Sequence, residues 1–311
     1  MTKRTEVLWS LFGLAALAFG CHLLYRQIRD ISLDELTGAL GAISWSHWVL
    51  CILAAAGAYL ALAWYDAIGI KHLKRKVPKR FIALCSFTAY ALGHNIGASL
   101  FSGAVVRYRG YSTKGLSGED VGILILICSI TFVLAQAGTI GLVLMLEPSL
   151  IQRFSNLPTW AAYVLGVPLL SLIGLYVLGS WRHFRPRRIG RIRLVYPRLN
   201  IVREQLFAGP LELFSAAAII YFALPADAHL NYLLVLGVFM ASFTLALWSN
   251  APGGLGVLEF TFINAMPELK TADVLAALIV FRCLYMLLPF TIALVIATVF
   301  ELKQWRQRHS S

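Results

Sequence analysis

Apolar residues run almost without interruption along this chain, in segments near 7–25, 46–69, 81–103, 119–146, 158–180, 205–224, 229–248 and 272–300. Each is close to the ~20 residues a helix needs to cross a bilayer core. None shows the period-2 alternation of a membrane barrel strand. The polar stretches between them are too short to fold alone, so residues 1–311 read as a single transmembrane domain. The pattern is broken most sharply at Asn250-Ala251-Pro252-Gly253-Gly254-Leu255-Gly256-Val257-Leu258-Glu259. Irregular backbone at membrane depth is tolerated only where protein or a water-filled cavity satisfies its polar groups. A carboxylate at that depth is a functional candidate by default. The segment therefore predicts the turn of a broken or re-entrant helix at a transport site. A second interruption, Gly93-His94-Asn95-Ile96-Gly97, splits the segment 81–109.

Charge placement turns these runs into a topology. Loop 71–80 carries Lys71, Lys74, Arg75, Lys76, Lys79 and Arg80. Loop 181–203 carries Arg182, Arg185, Arg187, Arg188, Arg191, Arg193, Arg198 and Arg203. Neither holds an acid, and the positive-inside rule puts both in the cytoplasm. Three apolar segments separate them, so one must fail to cross. The interrupted 81–109 is that segment, a hairpin entered and left from the cytoplasm. By the same parity, 229–248 and 255–267 form a second hairpin entered from outside, with Pro252-Gly253-Gly254 at its tip. Only Arg26, Arg29, Arg153 and Lys270 then lie outside, and Arg282 lies within the membrane. The expected architecture is all-α, with about six full spans plus two hairpins and both termini in the cytoplasm. At 18 residues or more, 229–248 is long enough to cross by itself at about 1.5 Å per residue. Two spans, a hairpin and one span occur twice, in 7–146 and 158–300. Three crossings per copy make the second copy inverted, a transporter architecture. Residues 31–43 predict a short interfacial helix, opened by a Ser32–Glu35 capping box.

Composition removes several other functions. The chain is 59% hydrophobic with mean hydropathy +0.73. Its net charge of +12 sits in short loops between spans. There it reports topology and attraction to anionic lipid, not nucleic-acid binding. Cysteines 21, 51, 85, 128 and 283 lie in apolar runs without metal-ligand spacing and read as buried thiols. Met1–Arg4 followed by Val7–Leu24 reads as an uncleaved first span. The glycines at 253, 254 and 256 follow no strand and precede no Lys-Ser/Thr pair, which removes a phosphate loop. No HExxH, Ser-His-Asp set or paired aspartates are present, so no catalytic residue, cofactor or metal is expected.

The candidate site is built from charge inside the membrane. Glu259 and Arg282 both fall roughly 12–16 Å below the outer surface at about 1.5 Å per residue. An ion pair between them relieves two costly burials. It serves either as a headgroup site that opens on binding or as a lock holding the hairpin to the last span. Arg107, near the first turn, is suited to bidentate phosphate contact; Arg109 reads as snorkelling to the interface. Glu212 reads as a partner for Arg107 or as a protonated carboxyl. His94 reads as satisfying the broken helix, and Asp66 as interfacial. The candidate lipid-binding set is Arg107, Glu212, Gly253, Gly254, Gly256, Glu259 and Arg282.

Pro252-Gly253-Gly254-Leu255-Gly256-x-x-Glu259, with Arg282 and Pro289 in the last span, resembles the lysylphosphatidylglycerol synthase/flippase transmembrane family. So do Gly97, Gly103 and Arg107-Tyr108-Arg109-x-Tyr111-Ser112, followed by Gly115-Leu116-Ser117. The resemblance covers roughly 10–300. It implies a membrane module that flips aminoacylated phospholipid made by a separate synthase domain, or that moves other lipids in stand-alone members. The chain stops at Ser311, soon after the last span, so aminoacyl transfer is not expected of it. The resulting expectation is a bacterial inner-membrane lipid translocase. Its partners would be a membrane phospholipid or other polar lipid and the anionic lipid surface. A second copy of the chain or an envelope enzyme is a further candidate partner. The alternatives are a non-transporting accessory protein for lipid or envelope biogenesis and, third, an intramembrane enzyme.

The topology predicts that single cysteines at positions 112 and 190, on a cysteine-free background, label only from the cytoplasmic side. Labelling of either from the periplasm in intact cells contradicts the hairpin.

Overall fold

The computed structural model describes residues 32–95, 99–182, 187–189, 192–194, 197–249 and 252–309. The expected first span, 7–25, lies outside them. The chain is an all-α polytopic membrane protein. In chain order its helices are α1 (Leu33–Ala42), α2 (Trp45–His72), α3 (Lys79–Asn95), α4 (Ser99–Ser112), α5 (Gly118–Leu146) and α6 (Trp160–Trp181). They continue with α7 (Leu199–Ala223), α8 (Tyr232–Ser249), α9 (Val257–Ala265), α10 (Thr271–Phe281) and α11 (Leu288–His309). A π turn, Arg282–Leu287, joins α10 to α11. Within the basic loop, β1 (Arg187–Ile189) and β2 (Ile192–Leu194) form an antiparallel ribbon in which Arg188 faces Arg193.

Local sequence sets the starts of these helices. Ser32 Oγ accepts from the Glu35 amide at 3.1 Å, and Glu35 Oε2 accepts from the Ser32 amide at 3.1 Å. This is the capping box read from the sequence, and it opens a helix with no buried residue. Ser117 and Asp120 repeat the device at the start of α5. Ser44 caps α2 through the His47 amide. Each bond satisfies an amide that the first helical turn leaves without a partner.

Among the described residues six helices are long and apolar enough to cross a membrane: α2, α5, α6, α7, α8 and the continuous Thr271–Phe300. The inclusion of α8 makes the second hairpin unequal. Its first arm has 18 residues, about 27 Å, while α9 has nine, about 14 Å. The first hairpin has arms of 17 and 14 residues. At roughly 25 and 21 Å, both arms are shorter than every helix named above as long enough to cross. The hairpin's first arm ends at Asn95 and its second begins at Ser99.

The core forms where α2 crosses α7. Tyr65, Ile68, Leu213, Ile219 and Ile220 are fully enclosed there. By contrast α6 buries little and presents Tyr163, Val164, Leu172 and Leu175 outward. An apolar outer surface suits a lipid solvent and needs no partner to explain it. The cysteine expectation holds for Cys51, Cys85 and Cys128, which are buried, but Cys283 is exposed. The π turn places Cys283 outside the packed face of the last span.

The tip of the second hairpin explains its glycines. Gly253, Gly254 and Gly256 have φ of +60°, +62° and +80°. Side-chain-bearing residues avoid this region. A Cβ on Gly254 would also lie 2.8 Å from Ala246 Cβ on α8. Gly254→Ala is therefore expected to destabilise the protein by about 1–3 kcal/mol. Gly38→Ala, in open space on α1, is expected to leave it unchanged or slightly firmer. Thermal unfolding in lipid nanodiscs compares the two; equal melting temperatures would contradict the requirement for glycine at this turn.

Candidate functional site

Proline creates the opening around which the site is built. Pro289 has no N–H, so the carbonyl four residues earlier, on Tyr285, loses its ordinary helical donor, and the proline ring crowds it. The chain answers with the π turn Arg282–Leu287. The Tyr285 carbonyl instead accepts from the Tyr59 hydroxyl of α2 at 3.0 Å. The next carbonyl, on Met286, accepts from Asn95 Nδ2 at 3.1 Å. Asn95 ends α3, so the tip of the first hairpin is tied to the last span. Asn95 Nδ2 also donates to Ala91 O within its own helix.

Arg282 opens the π turn and reaches the second hairpin. Its Nε donates to Glu259 Oε1, and its Nη1 donates to Gly253 O at 3.0 Å. Glu259 Oε2 accepts from the Gly256 amide at 2.9 Å, closing the first turn of α9. One carboxylate thus caps its own helix and neutralises a guanidinium. The Arg282 and Glu259 side chains are 15% and 5% exposed, which makes this a buried pair. Among the described residues Arg282 Nη2 is buried without a hydrogen-bond partner. Unsatisfied polar atoms at such depth are costly and mark places where a ligand or water belongs.

Two more orphaned atoms lie around Tyr285. Its hydroxyl donates to Glu212 Oε1, while Glu212 Oε2 is buried with no partner. His94, beside Asn95, stacks on the Tyr285 ring at 5.2 Å, and its Nδ1 is likewise unpaired. The first-hairpin tip, the second-hairpin tip and a carboxylate on α7 therefore meet at one π turn. Gly253, Gly254, Gly256, Glu259, Arg282 and Glu212 are brought into this assembly, Glu212 through Tyr285.

Arg107 belongs to a different cluster. Its Nε and Nη2 donate to Asp66 at 3.1 and 2.9 Å. Asp66 is fully buried and accepts also from the Tyr111 hydroxyl at 2.9 Å. The guanidinium lies 4.4 Å from the Tyr90 ring centre. Two expectations are corrected here. Glu212 pairs with Tyr285 and not with Arg107. Asp66 is not exposed at the helix end, because the α3–α4 hairpin covers it and delivers Arg107 and Tyr111 to it. One signal could have found it: Asp66 stands a full turn before the basic loop begins at Lys71, inside an apolar run. Tyr90 and His94 follow each other on α3, 5.9 Å apart, and connect this cluster to the π turn.

At the far end of the second hairpin, Arg153 donates to Ala265 O at 2.6 Å and to Glu268 Oε2 at 2.9 Å. Partial burial raises the Glu268 pKa, but the Arg153 hydrogen bond and charge outweigh it. Together with a backbone bond they hold the carboxyl below its usual range. Among the described residues no group of three or more His, Cys, Asp or Glu could hold a metal.

Two apolar grooves flank the hairpins. One, of about 460 Å³, runs between the first hairpin and α11, past Phe81, Leu84, Val105, Val295 and Phe300, with Arg109 on its lining. The other, of about 300 Å³, runs between α5 and α8, past Ile140, Leu144, Phe154, Met240 and Leu245.

Comparison with known proteins supports a membrane-lipid context. The chain is 27% identical over 250 residues to an uncharacterized protein of Synechocystis, covering 80% of this chain and 78% of that one. It is 27% identical over 282 residues to the inner membrane protein YbhN of Escherichia coli, covering 89% and 84%. It is 24% identical over 289 residues to the phosphatidylglycerol lysyltransferase of Staphylococcus haemolyticus, covering 88% of this chain but 32% of that protein. No family model matches. The relatives agree with the resemblance drawn from the sequence to the lysylphosphatidylglycerol synthase transmembrane family. The chain spans about a third of the lysyltransferase's length.

The Asp66 cluster makes a direct prediction. Asp66→Asn leaves Arg107 buried and unpaired and is expected to cost about 3–5 kcal/mol. Adding Arg107→Gln should recover much of that loss. A change in thermal stability equivalent to less than about 1 kcal/mol for Asp66→Asn would mean that the pair is exposed and screened.

Proposed function

We propose that this relative of the lysylphosphatidylglycerol synthase transmembrane family moves a polar or charged lipid between leaflets of the bacterial inner membrane. The headgroup would engage Arg282 and Glu259 where the two hairpin tips meet, and the acyl tails would stay in the flanking grooves. The observation that carries this reading is the unpartnered Arg282 Nη2 beside a buried pair. It leaves a guanidinium donor available to an anionic oxygen without breaking the bond to Glu259. Glu212 would accept a cationic group or carry a proton through its unpaired Oε2. Arg107 acts in this reading by holding the first hairpin against α2.

Several features support the wider reading. YbhN is by name an inner membrane protein, and the staphylococcal relative is by name a phosphatidylglycerol lysyltransferase. Only the membrane context is taken from the latter, since the match covers about a third of it; lysyl transfer is not part of the proposal. An inverted repeat is supported by how the helices pack. Its two second spans, α2 and α7, pair with each other at the centre. The closing span of each half packs on the hairpin of the other: α11 on α3, and α5 on α8. Both termini and the two basic loops would lie in the cytoplasm, where the arginines gather anionic lipid at about 1 kcal/mol per residue.

Reconstituted proteoliposomes carrying a labelled lipid test the proposal. Glu259→Gln and Arg282→Gln should each slow lipid movement. If the pair binds a headgroup, the double variant should fold yet stay inactive. If the pair only locks the hairpin, the double variant should regain both stability and movement. Full activity in both single variants would sink both readings.

A further inference from the structure

The π turn in the last span draws on both hairpins at once, and the bonds that do so come from opposite ends of it. At its start, Arg282 is held by Glu259 and by Gly253 O of the second hairpin. Near its end, the Met286 carbonyl is held by Asn95 of the first hairpin, and the preceding carbonyl by Tyr59 of α2. A π turn holds one more residue than an α-turn and recurs as a bulge at functional sites. Closing it into α-helix would move everything beyond it by one residue's rise, about 1.5 Å, and about 100° of rotation. The Met286 carbonyl would then turn away from Asn95. The alternative register is accessible for a stated reason. Pro289 already prevents an ordinary bond to the Tyr285 carbonyl, so the α form gains no bond at that position.

We propose that the π turn Arg282–Leu287 is a register link between the two hairpins, with Asn95 as the positioning residue through which the first hairpin follows it. Loosening Arg282 from the second hairpin shifts the turn, and Asn95 passes that shift to α3. The exposed Cys283, whose side chain faces away from the packed bundle, is the residue the bulge accommodates. The inference stands on this geometry alone and goes beyond the transport reading.

The test measures the first hairpin while the second is perturbed. Spin labels on unnatural amino acids at Val105 of α4 and Phe207 of α7, both outward-facing, leave the native cysteines in place. Pulsed electron resonance in nanodiscs then gives the distance between them. Glu259→Gln should shift that distance by an amount on the order of 1.5 Å, one residue's rise. In an Asn95→Leu background, Glu259→Gln should add no shift, and Asn95→Gln, which keeps the amide donor, should restore it at least in part. Deleting Cys283, which removes the extra residue, should reproduce the shift with Glu259 intact. It keeps the test decisive if Asn95→Leu fails to fold. Either of two results would overturn the link: no shift on Glu259→Gln in the otherwise native chain, or an equal shift without Asn95. A wild-type distance after deletion of Cys283 would overturn it as well. Lipid movement in proteoliposomes is read separately. A shift on Glu259→Gln with no lipid movement by the unsubstituted chain leaves the link and removes the transport reading, and movement by the unsubstituted chain with no shift on Glu259→Gln does the reverse.

Discussion

The Arg282 guanidinium is the interaction on which the rest of this structure depends. A break in a helix inside a bilayer exposes backbone groups that lipid cannot satisfy. Arg282 answers that at the second hairpin by donating to Gly253 O, while its partner Glu259 satisfies the Gly256 amide. The carboxylate and the guanidinium are each too costly to bury alone. Together they make a glycine-rich turn possible where a continuous helix would otherwise be required. The turn's three positive-φ glycines adopt that backbone without strain, and the same pair holds them in place.

That arrangement has a cost in tightness that function can use. Buried pairs are weak contributors to net stability and sensitive to the loss of either partner. In the proposed reading, the N–H that this pair leaves unpaired receives an anionic oxygen while the bond to Glu259 stays in place. Glu212 and His94 add two further unpaired atoms around the same Tyr285 ring. The Asp66–Arg107 cluster differs: Asp66 also accepts from Tyr111, and Arg107 lies over the Tyr90 ring. It has the character of a fixed brace, whereas the Arg282 assembly has the character of a joint.

Much of this was legible from residue order, and for identifiable reasons. Long apolar runs are strong signals, so five of the expected full spans correspond to helices long enough to cross. Proline and glycine in the middle of such runs marked both hairpins. The Ser32–Glu35 box marked α1. Helical rise placed Glu259 and Arg282 at a common depth, and the cost of burying each charge made their pairing an expectation. What escaped depended on contacts between distant segments. Asp66 looked interfacial because nothing in α2 shows that α4 will fold over it. The pairing of Glu212 with Tyr285 requires the crossing of α7 and the last span. Pro289 was read only as part of the family resemblance, within one continuous span; that it goes with a π turn depends on the outside donors Tyr59 and Asn95. The second hairpin's first arm was recognised as long enough to cross, and the turn that ends it is fixed where Gly254 sits against Ala246.

The central claim is that interrupted backbone, stabilised by Arg282, sits at mid-depth in the membrane. A spin label at Leu255, an exposed residue of the second hairpin's tip, measures this through its relative accessibility to oxygen and to a polar nickel complex. Val133 in the middle of α5 and Leu33 on α1 serve as deep and shallow references. The account predicts a depth for Leu255 close to that of Val133. A depth close to that of Leu33 would place the turn at the surface, where water could satisfy its backbone, and would contradict the role given to Arg282.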